Sequence, residues 1–390
     1  MTGLVDADRL LEQATTATGL DDWGDLPFRE PLEAYLWSLA HESGQPPERL
    51  ELLAGGTVAT LVKRLRLVDD RKQHPEIAAE RIVAPIVIVG LPRTGSTHLH
   101  AVMATRPGAR APLQWEMNEP SPPPDAATFA CDPRIARVQG ALDARPNADE
   151  LQRAHPFGAT RPEQCIGLID WSFVNSAALA AHSLPSYFDW FLDADQRIAY
   201  EHHRRMLQHL QWRVPGEWVL KWPKHVFALD ALLATYPDAR IVWTHRDPGT
   251  VLPSVCNFVG AVRRSVSPGY DPVRFAKEWT ALEEIGLWRA MNVRACMDDE
   301  ARFFDVQYND LTADPVGTVC DVYEYFGVAV DDSARRAFAE FQDENPKDKF
   351  GPHTYTAEQY GLDSERMRDR FRPYIERFGV EPDRPRRGTR

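Results

Sequence analysis

Gly90, Arg93, Thr94, Gly95, Ser96 and Thr97 form the densest concentration of anion-binding chemistry in the chain. They follow the apolar run Pro85-Ile86-Val87-Ile88-Val89, so a buried strand is expected to feed a glycine-bounded turn and then a helix through Leu99, Val102 and Met103. The spacing from Gly90 through Gly95 to Thr97 follows G-x-x-x-x-G-K-[ST], except that Ser96 stands at the lysine position and a cation, Arg93, stands inside the loop. In nucleoside-triphosphate sites that lysine reaches the terminal phosphates and the next hydroxyl holds magnesium. Its absence argues against ordinary ATP or GTP hydrolysis. Backbone N–H groups from Arg93 to His98 still converge at a helix start, where the helix dipole favours negative charge.

Two further cations fall at strand ends. Lys221 closes the run ending Leu220-Lys221-Trp222-Pro223, and Arg246 follows another in His245-Arg246-Asp247-Pro248, with Ser254 about two helical turns on. Cations at three separated points suit a nucleotide that carries phosphate groups at two positions better than one linear triphosphate. Sulfuryl transfer needs less charge neutralisation than phosphoryl transfer, so fixed cations can replace a metal. Asp305 is a weak acidic strand end for magnesium, and neither a Ser-His-Asp arrangement nor metal-ligand histidine spacing stands out.

The elements that must position these groups are read from periodicity. Residues 5 to 72 carry helical patterning, including Leu32, Tyr35, Leu36, Leu50, Leu53, Val58, Leu61 and Leu65. Strands are expected at Glu217–Lys221, Arg240–His245 and Arg302–Val306, alternating with helices. This is an α/β pattern: a central parallel sheet flanked by helices, like that of P-loop NTPases, with ligands at the carboxyl ends of the strands. The division is an N-terminal helical layer over 1–78, an α/β domain over 79–380 with a helical insertion over about 132–212 that roofs the site, and a disordered tail over 381–390.

The chain has 390 residues, 43% of them hydrophobic and 26% charged, and a formal net charge of -12. That balance disfavours a nucleic-acid partner, which requires a basic face. The five cysteines lack C-x-x-C spacing, which fits a reducing compartment without structural zinc. The N-terminus lacks signal-peptide character and the longest apolar run is too short for a bilayer, so a cytoplasmic location without membrane insertion is expected. The oligomeric state is left open.

The ordered motifs Gly-Leu-Pro-Arg-Thr-Gly-Ser-Thr, Trp115-Glu116, Leu220-Lys221-x-Pro-x-His225, Tyr236-Pro237-Asp238-Ala239-Arg240 and His245-Arg246-Asp247-Pro248 resemble those of the PAPS-dependent sulfotransferase superfamily, in its bacterial branch abundant in mycobacteria and other actinobacteria. The match spans residues 80 to 378, including Tyr308-Asn309-Asp310-Leu311. The resemblance implies that Arg93, Thr94, Gly95, Ser96 and Thr97 bind the 5′-phosphosulfate of PAPS and that Arg246 and Ser254 bind its 3′-phosphate. It also implies that Lys221 meets the sulfuryl group and that Tyr308 approaches the nucleotide, with PAP as product and no metal. Two departures matter. Phe258 stands where some relatives carry a further cation, and the C-terminal Arg-Lys-Gly loop is absent, leaving Lys347, Lys349 and His353 as candidates.

A base must take the acceptor proton. Related enzymes place a glutamate in the region of Glu116, and the neighbouring Trp115 could raise its pKa, so Glu116 ranks first and His225 second. Trp171, Phe173, Tyr187, Phe188, Trp190 and Phe191 are either a packed core or the wall of an acceptor pocket. A hydrophobic small-molecule or lipid alcohol is therefore the expected acceptor. The alternatives are a P-loop small-molecule kinase and a PAP-binding protein without transfer activity.

Overall fold

The computed structural model describes residues 2–145, 157–174, 176–267, 269–345 and 356–384. Five parallel strands form its centre: β1 (Ile86–Gly90), β2 (Ala109–Arg110), β3 (Glu217–Lys221), β4 (Arg240–His245) and β5 (Phe303–Gln307). Their spatial order is β2-β3-β1-β4-β5. From β1 the chain passes to the edge strand β2, returns to place β3 between the two, and then crosses to add β4 and β5 on the other side, which leaves a crevice at the carboxyl end of β1. The register aligns Ile88 with Lys221 and Gly90 with Thr244, so the ends of β1, β3 and β4 open together.

Both faces of the sheet are covered, which is why β1 reads as an unbroken apolar run and not as an alternating one. Val87 and Val89 join a core with Leu220, Ile241 and Trp243 on one face. Ile86 and Ile88 join Val219, Val242 and the helix side chains Leu99, Val102 and Met103 on the other.

The N-terminal layer consists of α1 (Ala7–Thr18), α2 (Arg29–Glu42) and α3 (Pro47–Gln73). It has its own core of Leu10, Leu32, Leu36, Leu50, Leu61 and Leu65, which Phe173 of the insertion completes. Arg64 on α3, almost fully buried, donates to the carbonyls of Trp23 and Leu26 and meets His202 Nε2 at 2.6 Å. Every buried guanidinium needs such partners, and these tie the layer to the insertion.

The aromatic residues of the insertion are packing groups. Trp171, Tyr187 and Phe191 are each 2% exposed, and Trp190 stacks on Tyr187 while its Nε1 donates to Glu30 of α2 at 3.1 Å. The cluster thus joins the insertion to the N-terminal layer, in place of the acceptor wall considered from sequence. The two-residue β2 has no counterpart among the expected strands, and β5 is shifted by one residue from its expected bounds. Of the segment read as a disordered tail, residues 381–384 are ordered against the domain, and the remainder lies outside the described residues. No helix among the described residues is long and apolar enough to cross a membrane.

Candidate functional site

The loop after β1 is shaped by two close constraints. Gly90 has φ +130, and a Cβ there would lie 2.4 Å from the Thr244 carbonyl oxygen, so only glycine lets β4 approach. Arg93 at φ +66 and Gly95 at φ +85 are left-handed. Left-handed residues in a turn direct successive N–H groups inward, making a concave anion cradle. The helix α4 (Ser96–Met103) begins directly after it, with no side chain capping its start.

Thr94 and Thr97 do different work. Thr94 is fully buried; its hydroxyl donates to the Leu91 carbonyl at 2.8 Å and pairs with Thr244 Oγ1 at 2.6 Å, pinning the loop to β4. Thr97 Oγ1 instead accepts from Lys221 Nζ at 3.1 Å. Lys221 is 2% exposed, and burial lowers its pKa to about 8, opposed by the nearby Glu163. Its ammonium is thus held at the helix start from the neighbouring strand, which restores a lysine that the loop itself lacks.

A second group gathers on the β4 side. Arg246 Nη1 donates to the Arg93 carbonyl at 2.6 Å, and its guanidinium lies 3.8 Å from the Tyr308 ring centroid. Arg93 Nε donates to Ser254 Oγ at 3.3 Å, and the Arg93 guanidinium lies 5.6 Å from the ring of Phe258. The loop cation therefore reaches the stretch of helix that carries Ser254 and Phe258. Tyr308 and Leu311 also crowd Gly95, since a Cβ there would meet Leu311 Cδ2 at 2.8 Å.

Arg93 to Thr97, Lys221, Arg246, Ser254 and Tyr308 are accordingly brought together, as their positions at strand ends imply. Glu116 and His225 are bound up elsewhere. Glu116, on α5 (Gln114–Asn118), is fully buried, ion-paired with Arg110, and accepts from the Leu113 N–H at 3.1 Å. Both of its oxygens are engaged in holding β2 to the start of α5, which leaves the carboxylate in a structural pair. His225 is also fully buried; its Nδ1 meets the Tyr200 hydroxyl at 2.6 Å, and burial holds its pKa well below the ordinary value. Lys347, Lys349 and His353 lie outside the described residues.

Glu163, which sequence reading did not single out, lies two residues before Cys165, whose N–H donates to the Lys221 carbonyl at the end of β3. It is partly exposed, its backbone N–H donates to the Pro112 carbonyl at 2.9 Å, and its Oε1 accepts from the Gln164 N–H at 2.7 Å. Its charge acts on both Lys221 and His100. The sequence carries little to distinguish it, because Arg161-Pro162-Glu163-Gln164 is a short polar break within a helical stretch. Asp305, the weak magnesium candidate, is committed to His245 Nε2 at 2.8 Å and to Arg294 at 2.7 Å, with its pKa near 2.

Comparison with known proteins identifies the family of the chain. The family model described as "Sulfotransferase family" matches residues 85–332. A sulfotransferase structure, STF1 of Mycobacterium tuberculosis H37Rv, superposes with a TM-score of 0.81 at 32% identity, covering 93% of this chain and 97% of that one. STF9 of Mycobacterium avium superposes with a TM-score of 0.88 at 25% identity, covering 97% and 98%. An omega-hydroxy-beta-dihydromenaquinone-9 sulfotransferase, Stf3 of Mycobacterium tuberculosis, is 24% identical over 318 residues, which is 79% of this chain and 78% of that protein. With the matched region containing the anion loop, Lys221, Arg246, Ser254 and Tyr308, the chain belongs to the sulfotransferase family.

Proposed function

We propose that this protein transfers a sulfuryl group from PAPS to the hydroxyl of a lipid-like or other hydrophobic acceptor, releasing PAP. The single observation that carries this reading is the meeting of two cation groups at the ends of β1, β3 and β4: Lys221 on Thr97, and Arg246 with Arg93, Ser254 and Tyr308. Such a divided arrangement matches a donor with anionic groups at two positions. The fit is supported by the chain itself, because the Asp383 carboxylate sits on Arg246, so that position accommodates an anion.

The donor supplies an activated sulfur with a phosphate leaving group. Arg93 to Thr97 hold the 5′-phosphosulfate through the loop N–H groups and the Ser96 and Thr97 hydroxyls, with Thr94 pinning the loop, while Arg246 and Ser254 hold the 3′-phosphate. Arg93 lies close enough to Ser254 to add the positive charge that Phe258 lacks. Tyr308 flanks the nucleotide. Lys221 steadies the negative charge that grows on the leaving oxygen, an effect strengthened by its burial. Glu163, partly exposed and two residues before Cys165, whose N–H donates to the Lys221 carbonyl at 2.9 Å, is the carboxylate this reading assigns to the acceptor proton in place of Glu116 or His225.

The lipid-like acceptor rests on the menaquinone-derivative sulfotransferase among the relatives, together with the acidic balance of the chain, which disfavours polyanionic acceptors. A magnesium-dependent kinase is disfavoured because Asp305 is committed to His245 and Arg294. The test is mass spectrometry of cell lipid extract incubated with the protein and heavy-sulfur PAPS. Labelled lipid sulfate is expected; PAP binding without any labelled product would reduce the protein to a nucleotide binder.

A further inference from the structure

Behind Lys221, away from the anion loop's contacts, three residues from separate elements converge. Cys165 precedes the helix Ile166–Ile169, His203 lies on the helix Arg197–Gln211, and His225 lies in the turn Pro223–Phe227 after β3. All three are buried, and one ligand-type atom from each lies within 4.8 Å of the others. Each histidine is oriented from behind by a tyrosine: His203 Nδ1 meets the Tyr236 hydroxyl at 2.7 Å and His225 Nδ1 meets the Tyr200 hydroxyl at 2.6 Å. Nε2 of both rings is buried without a hydrogen-bond partner. A buried imidazole nitrogen left unsatisfied costs free energy, and two of them beside one thiol are the arrangement a metal ion would satisfy.

We propose that Cys165 Sγ, His203 Nε2 and His225 Nε2 form a zinc site. A tetrahedral zinc with bonds of about 2.3 Å to sulfur and about 2.1 Å to nitrogen holds its ligand atoms roughly 3.5 Å apart, so small side-chain shifts close the cluster. One thiolate and two imidazoles are a borderline-soft set, which suits zinc better than magnesium or calcium. Tyr200 and Tyr236 play the supporting part that carboxylates play in other metal sites, fixing each ring by holding its other nitrogen. On binding, the Cys165 thiol loses its proton to solvent and becomes a thiolate, leaving a net charge of +1 on the ion and its ligands. A water molecule takes the fourth position.

The placement gives the site a purpose. Cys165 follows Glu163 by two residues, and His225 follows Lys221 by four, while the Cys165 N–H already donates to the Lys221 carbonyl at 2.9 Å. A metal joining the insertion to the end of β3 fixes the spacing between Glu163 and Lys221, which makes its three ligands positioning residues. The sequence expectation of no metal concerns the transfer site, where fixed cations replace it, and local ligand spacings; these three ligands lie far apart in sequence.

The test uses the untagged full-length protein expressed in zinc-supplemented medium. Metal analysis is expected to find stoichiometric zinc after dialysis, lost in Cys165→Ser and in His203→Asn. Tyr236→Phe is expected to keep the zinc but weaken its affinity about 10- to 100-fold in competition with a chelating dye. Cobalt added to the metal-stripped wild-type protein should give a sulfur-to-cobalt charge-transfer band, a readout that does not depend on either variant folding. Wild-type protein without zinc and without that band would overturn the proposal, as would zinc retained in full by both Cys165→Ser and His203→Asn.

Discussion

Asp383, close to the C-terminus, grips Arg246: the guanidinium donates from Nε at 3.2 and 3.0 Å and from Nη2 at 2.6 Å to the two carboxylate oxygens. The contact is reinforced next door, where Asn309 donates to the Pro382 carbonyl and accepts from the Arg384 N–H. The segment thus lays a carboxylate on the cation assigned to the 3′-phosphate, and the two anions compete.

Asp383→Asn removes the competing charge and keeps the shape. The pair is only partly buried, with side chains 14% and 24% exposed, so its worth is discounted to about 1 kcal/mol. PAP affinity is therefore expected to rise about fivefold in calorimetric titration, with ADP affinity unchanged, while Arg246→Ala weakens PAP and erases the difference between the two. Unchanged PAP affinity in Asp383→Asn would place the 3′-phosphate away from Arg246.

Lys221 sets a limit at alkaline pH. Burial lowers its pKa to about 8 against the pull of Glu163, and only the ammonium form can steady the leaving group. In the free enzyme kcat/KM should fall as pH rises through about 8, and Lys221→Arg, whose guanidinium keeps its proton, should remove that limb. Stability carries the opposite sign. A lysine whose folded pKa lies below its unfolded value destabilises the fold when protonated, and that penalty fades as pH rises from about 8 towards 10.5. Lys221→Met should accordingly raise the melting temperature at neutral pH and abolish turnover. An alkaline limb that survives in Lys221→Arg would assign it to another group.

Glu163 and Glu116 separate by what their amides spoil. Glu163→Gln keeps the hydrogen bond from Gln164 and removes the base, so kcat should fall about 10²- to 10⁴-fold with melting temperature and PAP affinity intact. Glu116→Gln leaves the Arg110 guanidinium buried without its counter-charge, at a cost of about 3 kcal/mol in stability, while the protein that remains folded keeps its kcat. Steady-state kinetics paired with thermal melts distinguishes the two. Normal turnover in Glu163→Gln with a dead but stable Glu116→Gln would return the role to Glu116.

What sequence made legible follows the physics of each signal. The apolar runs ending at Val89, Lys221 and His245 are long enough to mark strands, and the cations at their ends are then placed by parallel topology alone. β2 escapes because the Ala109–Arg110 pair is too short to show any periodicity. Glu116 and Glu163 look alike as sequence. They part only in the fold, where Arg110 of the preceding β2 neutralises one and the end of β3 approaches the other. The cluster of Cys165, His203 and His225 is invisible for the same reason, since its members come from three elements and meet only after the insertion folds back on β3.

The acceptor preference can be tested against the packing of the insertion. Trp190 stacks on Tyr187 and donates to Glu30, so it belongs to the contact between the insertion and the N-terminal layer. Trp190→Ala should lower stability by about 1 to 3 kcal/mol through lost packing and one lost hydrogen bond. It should leave the KM for the acceptor unchanged. In the same assay, long-chain and polycyclic alcohols should be turned over in preference to free sugars and tyrosyl peptides, in line with the lipid-like acceptor proposed from the menaquinone-derivative sulfotransferase among the relatives. A raised acceptor KM in Trp190→Ala, with stability intact, would put that ring in the acceptor's path. A preference for sugar or peptide hydroxyls would defeat the lipid reading while leaving the PAPS site standing, since the nucleotide is held by Arg93, Arg246 and Ser254 whatever attacks the sulfur.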